Sequence, residues 1–227
     1  LDADGQAFYW FQLGHVRFAT GDVNGAVTAL ETALRIDPGD PGATEKLAGI
    51  YAAIGRTDDA ERLYAELLAA GPAADLHGSY ADLLRARGAD AEADRHEQLG
   101  MDLALSTIDS FPAERRHLVG FLLTRDADLA VELALADLAE RQDPGAYDTA
   151  AWALYHAGRI AEARPLIEQA LASGIQDAEI EAHAGFIAAA AGDDAAARRH
   201  LGRALDINDR FDATDAPAAR ALLTDLS

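Results

Sequence analysis

Side chains that could act in catalysis or metal binding are thinly spread along this sequence of 227 residues. There is no cysteine, which excludes zinc–thiolate sites and cysteine nucleophiles. His96 and Glu97 stand together, but no second histidine follows at the spacing of a zinc protease. No serine lies in a G-x-S-x-G turn, and no glycine-rich loop ends in the lysine of a phosphate-binding motif. The histidines fall in separate stretches: His15, His77, His96, His117, His156, His183 and His200. The sequence therefore predicts no catalytic, metal or cofactor site and no enzyme activity.

The charge of the chain points to the kind of partner it can attract. The formal net charge is −20, from 39 acidic and 19 basic side chains. Such a field repels phosphate backbones, so we expect no nucleic-acid partner and a neutral to basic protein or peptide instead. The alternative is that the acidic residues only solvate the outer surface. No apolar run reaches the roughly 20 residues of a membrane span.

The start of the sequence bears on its compartment. It begins "LDADGQAFYW", without methionine and without the basic and apolar segments of a leader. We therefore expect a mature form or a fragment, and both a cytoplasmic and an exported location stay open.

Glycine and alanine recur with a nearly constant period, which indicates what elements position these side chains. The phased glycines are Gly21, Gly55, Gly88, Gly158 and Gly192, with gaps of 34, 33, 70 and 34 residues, the missing beat falling at Arg125. The alanines five residues later are Ala26, Ala60, Ala93, Ala130, Ala163 and Ala197. A period of this length signals a solenoid of helix pairs. Each glycine is expected to end a first helix with a positive φ, and each alanine to lie where paired helices cross.

The spacing of further residues within each unit resembles the tetratricopeptide repeat. The first unit carries Trp10, Leu13, Gly14, Ala26, Ala33 and Pro38 at the family's spacing; the second carries Leu47, Ala48, Tyr51, Ala60, Tyr64 and Pro72; the fifth carries Ala150, Ala151, Leu154, Gly158, Ala163, Ile167 and Ala170. The fourth unit is the weakest match. The resemblance implies an all-α fold, a right-handed α–α superhelix of about six helix-turn-helix repeats plus a C-terminal capping helix.

The repeat boundaries follow from this phase. One solenoid domain is expected over residues 7–227, with repeats at about 7–40, 41–73, 74–109, 111–143, 144–177 and 178–211, a capping helix at 215–226 and an N-terminal extension at 1–6. The period grows by three residues after the third unit, which predicts a lengthened second helix and a turn at Ser110, Phe111 and Pro112. Asp215 is the expected N-cap of the last helix, with Pro217 in its first turn.

The resemblance also implies where a partner would bind. In this family the first helix of each unit lines a concave groove, and the residues implied to face it here include Phe11, His15, Phe18, Arg85, Trp152, Tyr155, His156 and Phe186. The same helical stripe passes through Glu45 and Asp82. Rigid aromatic side chains are efficient contact residues for a peptide or a partner helix. Two alternatives stay open: these aromatics pack as ordinary core, or Phe8 and Phe11 meet an upstream element or a second copy of the chain.

We therefore expect a protein-interaction scaffold or adaptor that binds an extended peptide or a partner helix in the groove. Some family members grip a terminal carboxylate with a lysine and an asparagine, but Phe11 and His15 occupy those positions here, which disfavours that ligand. The alternative function is a regulatory or substrate-recruiting segment of a larger enzyme, regulator or transport system. A structural unit that forms homo-oligomers is a third possibility.

Overall fold

The structure is a computed structural model that describes residues 2–107 and 114–226. These residues form thirteen α-helices and no β-strand. The helices are α1 (Ala3–Ala19), α2 (Val23–Ile36), α3 (Pro41–Ala53), α4 (Thr57–Ala70), α5 (Ala74–Ala86), α6 (Asp90–Thr107), α7 (Glu114–Leu122), α8 (Ala127–Glu140), α9 (Pro144–His156), α10 (Ile160–Ala172), α11 (Ala178–Ala190), α12 (Asp194–Ile207) and α13 (Asp215–Asp225).

The first twelve helices pack as six consecutive pairs, and α13 packs against α12 and α11 in the way that a seventh first helix would. Each pair also contacts the pair that follows it. Three hydrophobic clusters succeed one another along the chain, so the core runs through the repeats without a single centre. The predicted all-α solenoid of six helix pairs with a terminal helix is confirmed.

Glycine ends the first helix in five of the six units, as the period predicts. Gly21, Gly55, Gly88, Gly158 and Gly192 have φ between 71° and 81°. In each case the amide that follows the glycine donates to the carbonyl five residues earlier, at 2.8–2.9 Å, which is the hydrogen bond of a Schellman cap. The fourth unit turns differently, since Asp126 N–H donates to the Leu122 carbonyl only four residues back. No described residue other than glycine has a positive φ.

The phased alanines allow the paired helices to approach closely. Ala26, Ala60, Ala93, Ala130, Ala163 and Ala197 are all 0% exposed. In the first and the sixth unit, a glycine also allows the two helices to approach closely. A β-carbon at Gly14 would lie 2.7 Å from Leu30 Cγ, and one at Gly185 would lie 2.6 Å from Leu201 Cγ. Any larger side chain at these positions would push the two helices of the unit apart.

The irregular parts of the chain follow the prediction in one place and depart from it in another. Helix α6 has 18 residues, whereas the other second helices have 13 or 14, so the predicted lengthening is confirmed. The turn predicted at residues 110–112 lies outside the described residues. Helix α1 already begins at Ala3, with Asp2 accepting the Gly5 amide at 2.9 Å.

The predicted N-cap of the last helix is wrong. Asp215 lies inside the first turn of α13, and it is Asp212 Oδ1 that accepts the amides of Thr214 and Asp215, at 2.6 and 2.7 Å. The side chain of Asp215 is turned to His183 instead, with 3.6 Å between Asp215 Oδ2 and His183 Nε2.

The last unit of the solenoid returns to the first. Asn208, which follows α12, is 3% exposed, and its side-chain amide donates to the Phe18 carbonyl at 2.8 Å across 190 residues of sequence. At Gly21 a β-carbon would lie only 2.6 Å from the Ile207 carbonyl oxygen. The superhelix therefore closes into a ring with its concave surface on the inside, and the cavities on that surface stay open to solvent. None of the described helices is long and apolar enough to cross a membrane.

Candidate peptide-binding site on the concave surface

Two cavities lie on the concave side, and side chains from the first helix of all six units line them. The proximal cavity, of about 420 Å³, is lined mainly by α1, α3 and α5. The distal cavity, of about 640 Å³, is lined by α5, α7, α9 and α11. Both include Ser79, Asp82, Asp212 and Thr214 in their walls, so the two cavities adjoin.

The connection between α12 and α13 forms part of the concave surface. It comprises residues 208–214, and Asn208 holds its beginning against α1. Phe211 lies between α1 and the start of α11, where it lines the proximal cavity and a third cavity of about 220 Å³. This loop therefore fills the centre of the ring and leaves a cavity on either side.

The predicted groove residues lie in three places: the proximal cavity, the distal cavity and a hydrophobic cluster. Phe11, His15 and Phe18 line the proximal cavity, although Phe18 is only 7% exposed and also belongs to the core. Arg85, Trp152 and His156 line the distal cavity. Arg85 already pairs with two carboxylates, Asp94 at 2.8 Å and Glu97 at 2.9 Å. Tyr155 and Phe186 pack within a hydrophobic cluster and lie outside both cavity walls.

Trp152 is held in place by its neighbours on both sides. Its ring stacks on Tyr155 with centroids 4.7 Å apart and on His183 with centroids 3.9 Å apart. His183 Nδ1 lies 2.9 Å from Asp148 Oδ1. Burial alone would lower the pKa of His183, but the charges and hydrogen bonds of Asp148 and Asp215 outweigh it and raise the pKa to about 10. A buried imidazolium thus fixes the tryptophan at the edge of the distal cavity.

Comparison with known proteins agrees with this architecture. Residues 17–93 match the family model of the tetratricopeptide repeat. The match supports an assignment of the chain to the tetratricopeptide repeat family. No curated protein matches the sequence.

Solved structures of tetratricopeptide repeat proteins superpose on 82–97% of the chain. One from Parabacteroides merdae has a TM-score of 0.61 at 18% sequence identity, over 97% of this chain and 84% of its own. A thermophilic one from Thermus thermophilus has a TM-score of 0.62 at 20% identity, over 82% of this chain and 98% of its own. PilW, a widely conserved type IV pilus biogenesis factor, has a TM-score of 0.51 at 21% identity, over 94% and 98%. Likeness at these identities shows the fold alone.

The strongest chemical feature of the repeat groove is a set of carboxylates that were not among the predicted binding residues. Burial among the concave helices, followed by the charge of Asp212, raises the pKa of Asp82 to about 6. Burial and then Asp148 raise the pKa of Glu179 to about 7, against the opposing effect of His183. Burial and Asp75 also raise the pKa of Glu45. Water reaches Asp82 and Glu179, but the ring of helices limits how well it can solvate them.

The basic groups near these carboxylates are few. Lys46 Nζ lies 5.2 Å from the centroid of the Phe18 ring, and burial lowers the pKa of Lys46 despite the nearby Glu179 and Glu45. Burial and the charge of Lys46 lower the pKa of His15, which is therefore uncharged at neutral pH. The described residues contain no group of three histidine, aspartate or glutamate side chains that could hold a metal ion.

Sequence reasoning could have found part of this set. Glu45 and Asp82 lie on the helical stripe that the family resemblance assigns to the groove, but carboxylates are so abundant in this chain that their presence there does not single them out. Glu179 likewise lies on a first helix, α11. Asp212 carried no sequence signal, because it enters the site only through the loop at residues 208–214.

Proposed function

We propose that this protein is an interaction scaffold that binds an extended peptide segment of a partner on the concave surface inside its ring. The observation that carries the proposal is that first helices from all six repeats meet around two adjoining cavities. Each unit adds a few side chains to one continuous surface, which suits a ligand that passes several units in turn.

The enclosure favours an extended peptide over a partner helix. An α-helix with its side chains is about 10–12 Å wide. The loop at residues 208–214 already fills the centre of the ring, and the Asn208 contact closes its side. An extended chain is narrower, and its side chains alternate in direction, so it can place one side chain in each cavity.

A variant that fills the proximal cavity tests this proposal. Gly49 lies in α3 and lines that cavity, and a β-carbon there would stay 3.7 Å from the Tyr64 hydroxyl, which is an ordinary contact. Gly49→Gln should therefore fold normally and extend a side chain into the cavity. Gly202→Gln is the matched control, because Gly202 lies in α12 outside both cavities, and a β-carbon there would have no atom within 4 Å.

Peptides for the test come from a random library of displayed 12-residue segments selected on the unaltered protein. We expect Gly49→Gln to weaken the binding of selected peptides by about tenfold or more, since removing a central contact typically costs above 1 kcal/mol. Fluorescence polarisation of labelled peptides measures the dissociation constants, and circular dichroism checks the fold. Peptides that bind both glutamine variants equally well would place the ligand elsewhere, and a library that yields no binder would contradict the proposal.

A further inference from the structure

We infer that the proximal cavity receives the side-chain ammonium group of a lysine on the bound peptide. The inference rests on the proposed function and names the chemistry that the cavity recognises. The walls include three phenylalanine rings and three carboxylates: Phe11, Phe18, Phe211, Glu45, Asp82 and Asp212. Aromatic faces and carboxylates are the two groups that attract an organic cation at short range.

The negative charge of the three carboxylates in the proximal cavity is not balanced by basic side chains in its walls. The positive charges nearest to them act without a salt bridge in the described residues: Lys46 and His117 on Glu45, and Arg85 on Asp82, whose guanidinium pairs with Asp94 and Glu97. Asp212 Oδ1 accepts two backbone amides, which stabilise its negative charge without supplying a positive one. The raised pKa values of Asp82 and Glu45 reflect their burial and the crowding of like charge in a confined space. A bound cation would relieve the repulsion.

The protein already places one ammonium group on this wall. Lys46, the single lysine of the chain, lies over the Phe18 ring at 5.2 Å, and the same ring borders the proximal cavity. The wall therefore accommodates an alkylammonium group against an aromatic face. One ammonium group stands against three carboxylates, because His15 is uncharged at neutral pH, and room is left for a second.

The arrangement of the carboxylates favours lysine over arginine. They come from three different elements: Glu45 from α3, Asp82 from α5 and Asp212 from the loop after α12. An ammonium group has three donors that point in different directions, whereas the flat guanidinium group prefers both oxygens of one carboxylate. The four-carbon stem of lysine can pass along the phenylalanine rings while its charged end reaches the acids.

Synthetic peptides of one sequence test the inference. The probe is acetyl-Gly-Ala-Gly-Lys-Gly-Ala-Gly-amide with a fluorescent label, and three companions replace the central lysine by norleucine, arginine or glutamate. Norleucine keeps the apolar stem and lacks the amine. Affinities are measured by fluorescence polarisation on the full chain at pH 7.5, where Asp82 is mostly ionised.

We expect the lysine peptide to bind at least about tenfold more tightly than the norleucine peptide, within the range measured for desolvated ion and cation–π pairs. Asp82→Asn should remove most of that advantage. Asp206→Asn, which removes a carboxylate of α12 outside both cavities, should preserve it. Free 1,5-diaminopentane, added as competitor, should bind more weakly than the peptide.

Several results would overturn the inference. These are equal binding of the lysine and norleucine peptides, a lysine preference that survives Asp82→Asn, and a free diamine that binds as tightly as the peptide. The proposed function and the lysine inference can be tested separately. If library peptides bind and Gly49→Gln blocks them without any preference for lysine, the groove binds peptides but this assignment of the cavity is wrong.

Discussion

Gly21 shows how one residue can serve both a repeat and the closed ring. Its φ of 81° lies in the left-handed region, as at Gly55, where φ is 76°. The two sites differ in their surroundings, because a β-carbon at Gly21 would lie 2.6 Å from the Ile207 carbonyl oxygen, while nothing lies within 4 Å at Gly55. Gly21 therefore both ends a helix and lets the last unit approach the first.

The matched pair Gly21→Ala and Gly55→Ala separates these roles. Both variants should be destabilised by about 1–2 kcal/mol, because alanine disfavours a positive φ. Gly21→Ala should lose more stability than Gly55→Ala, since the new methyl group forces the Ile207 carbonyl away. Thermal unfolding followed by circular dichroism measures the difference, and equal melting temperatures would mean that the contact at Ile207 adds nothing to stability.

Asp82 is a second residue whose removal is informative. Its folded pKa of about 6 lies above the ordinary value of 3.8. The group therefore favours the folded state only in its protonated form, and this contribution is lost as the pH rises from about 4 through about 6. We expect Asp82→Asn to raise the melting temperature by a few degrees at pH 7.5, with the gain shrinking as the pH falls towards 4.

Asp206→Asn is the control for that experiment, because it removes an equal charge from α12, outside both cavities. A comparable gain in this control would attribute the effect to net charge. A gain confined to Asp82→Asn would show that the protein tolerates a carboxylate in the cavity at the expense of stability, as binding sites often do.

Among the elements, the connection between α12 and α13 departs most from the repeat. Its first residue, Asn208, is buried and donates to the Phe18 carbonyl at the end of α1. Asn208→Ala removes the donor and leaves a carbonyl without this partner, which should cost about 1–3 kcal/mol. The last turn of α1 and the end of α12 should exchange amide hydrogens faster, because the seam between them opens more often.

Asn24→Ala provides the comparison, since Asn24 is the other asparagine of the chain and is exposed on α2. Hydrogen exchange followed by mass spectrometry should show faster exchange at the seam in Asn208→Ala only. Exchange that is unchanged at both helix ends would show that the ring stays closed without this hydrogen bond.

The helices themselves could be predicted from the sequence because their signals are local. A glycine ends a helix through its own φ, and an alanine permits a crossing through its own size, so a period in these residues fixes the pairs. The lengthened α6 followed from the same period. The prediction that Asp215 caps α13 was wrong, because its side chain contacts His183 and Asp212 accepts the amides at the helix start. His183 lies more than 25 residues away in the sequence and is brought near only by the fold.

At the scale of the whole molecule, closure of the ring could not be predicted. It depends on the rotation between successive units, which accumulates over six pairs and is set by packing details at every interface. The candidate site shares this limitation. Its aromatic and acidic positions on the first helices follow a readable stripe, but Phe211 and Asp212 face them only because the ring closes around the last loop.

Net charge acts on this closed molecule in two opposing ways. With a formal charge of −20, like charges repel across the ring and within its cavities. Raising sodium chloride from about 20 to 500 mM shortens the Debye length to a few ångströms, so the melting temperature should rise. The same screening should weaken the binding of the lysine peptide, because its attraction to the cavity is electrostatic. It should leave the binding of the norleucine peptide nearly unchanged.

Thermal unfolding and fluorescence polarisation over one salt series measure both effects on the same samples. Sucrose at matched osmolality controls for solvent exclusion, which stabilises folded chains without screening charge. A melting temperature that falls with salt would mean that attractive ion pairs, such as that between Arg141 and Asp137, outweigh the repulsion. If salt weakens the binding of both peptides equally, the concave surface distinguishes ligands by something other than their charge.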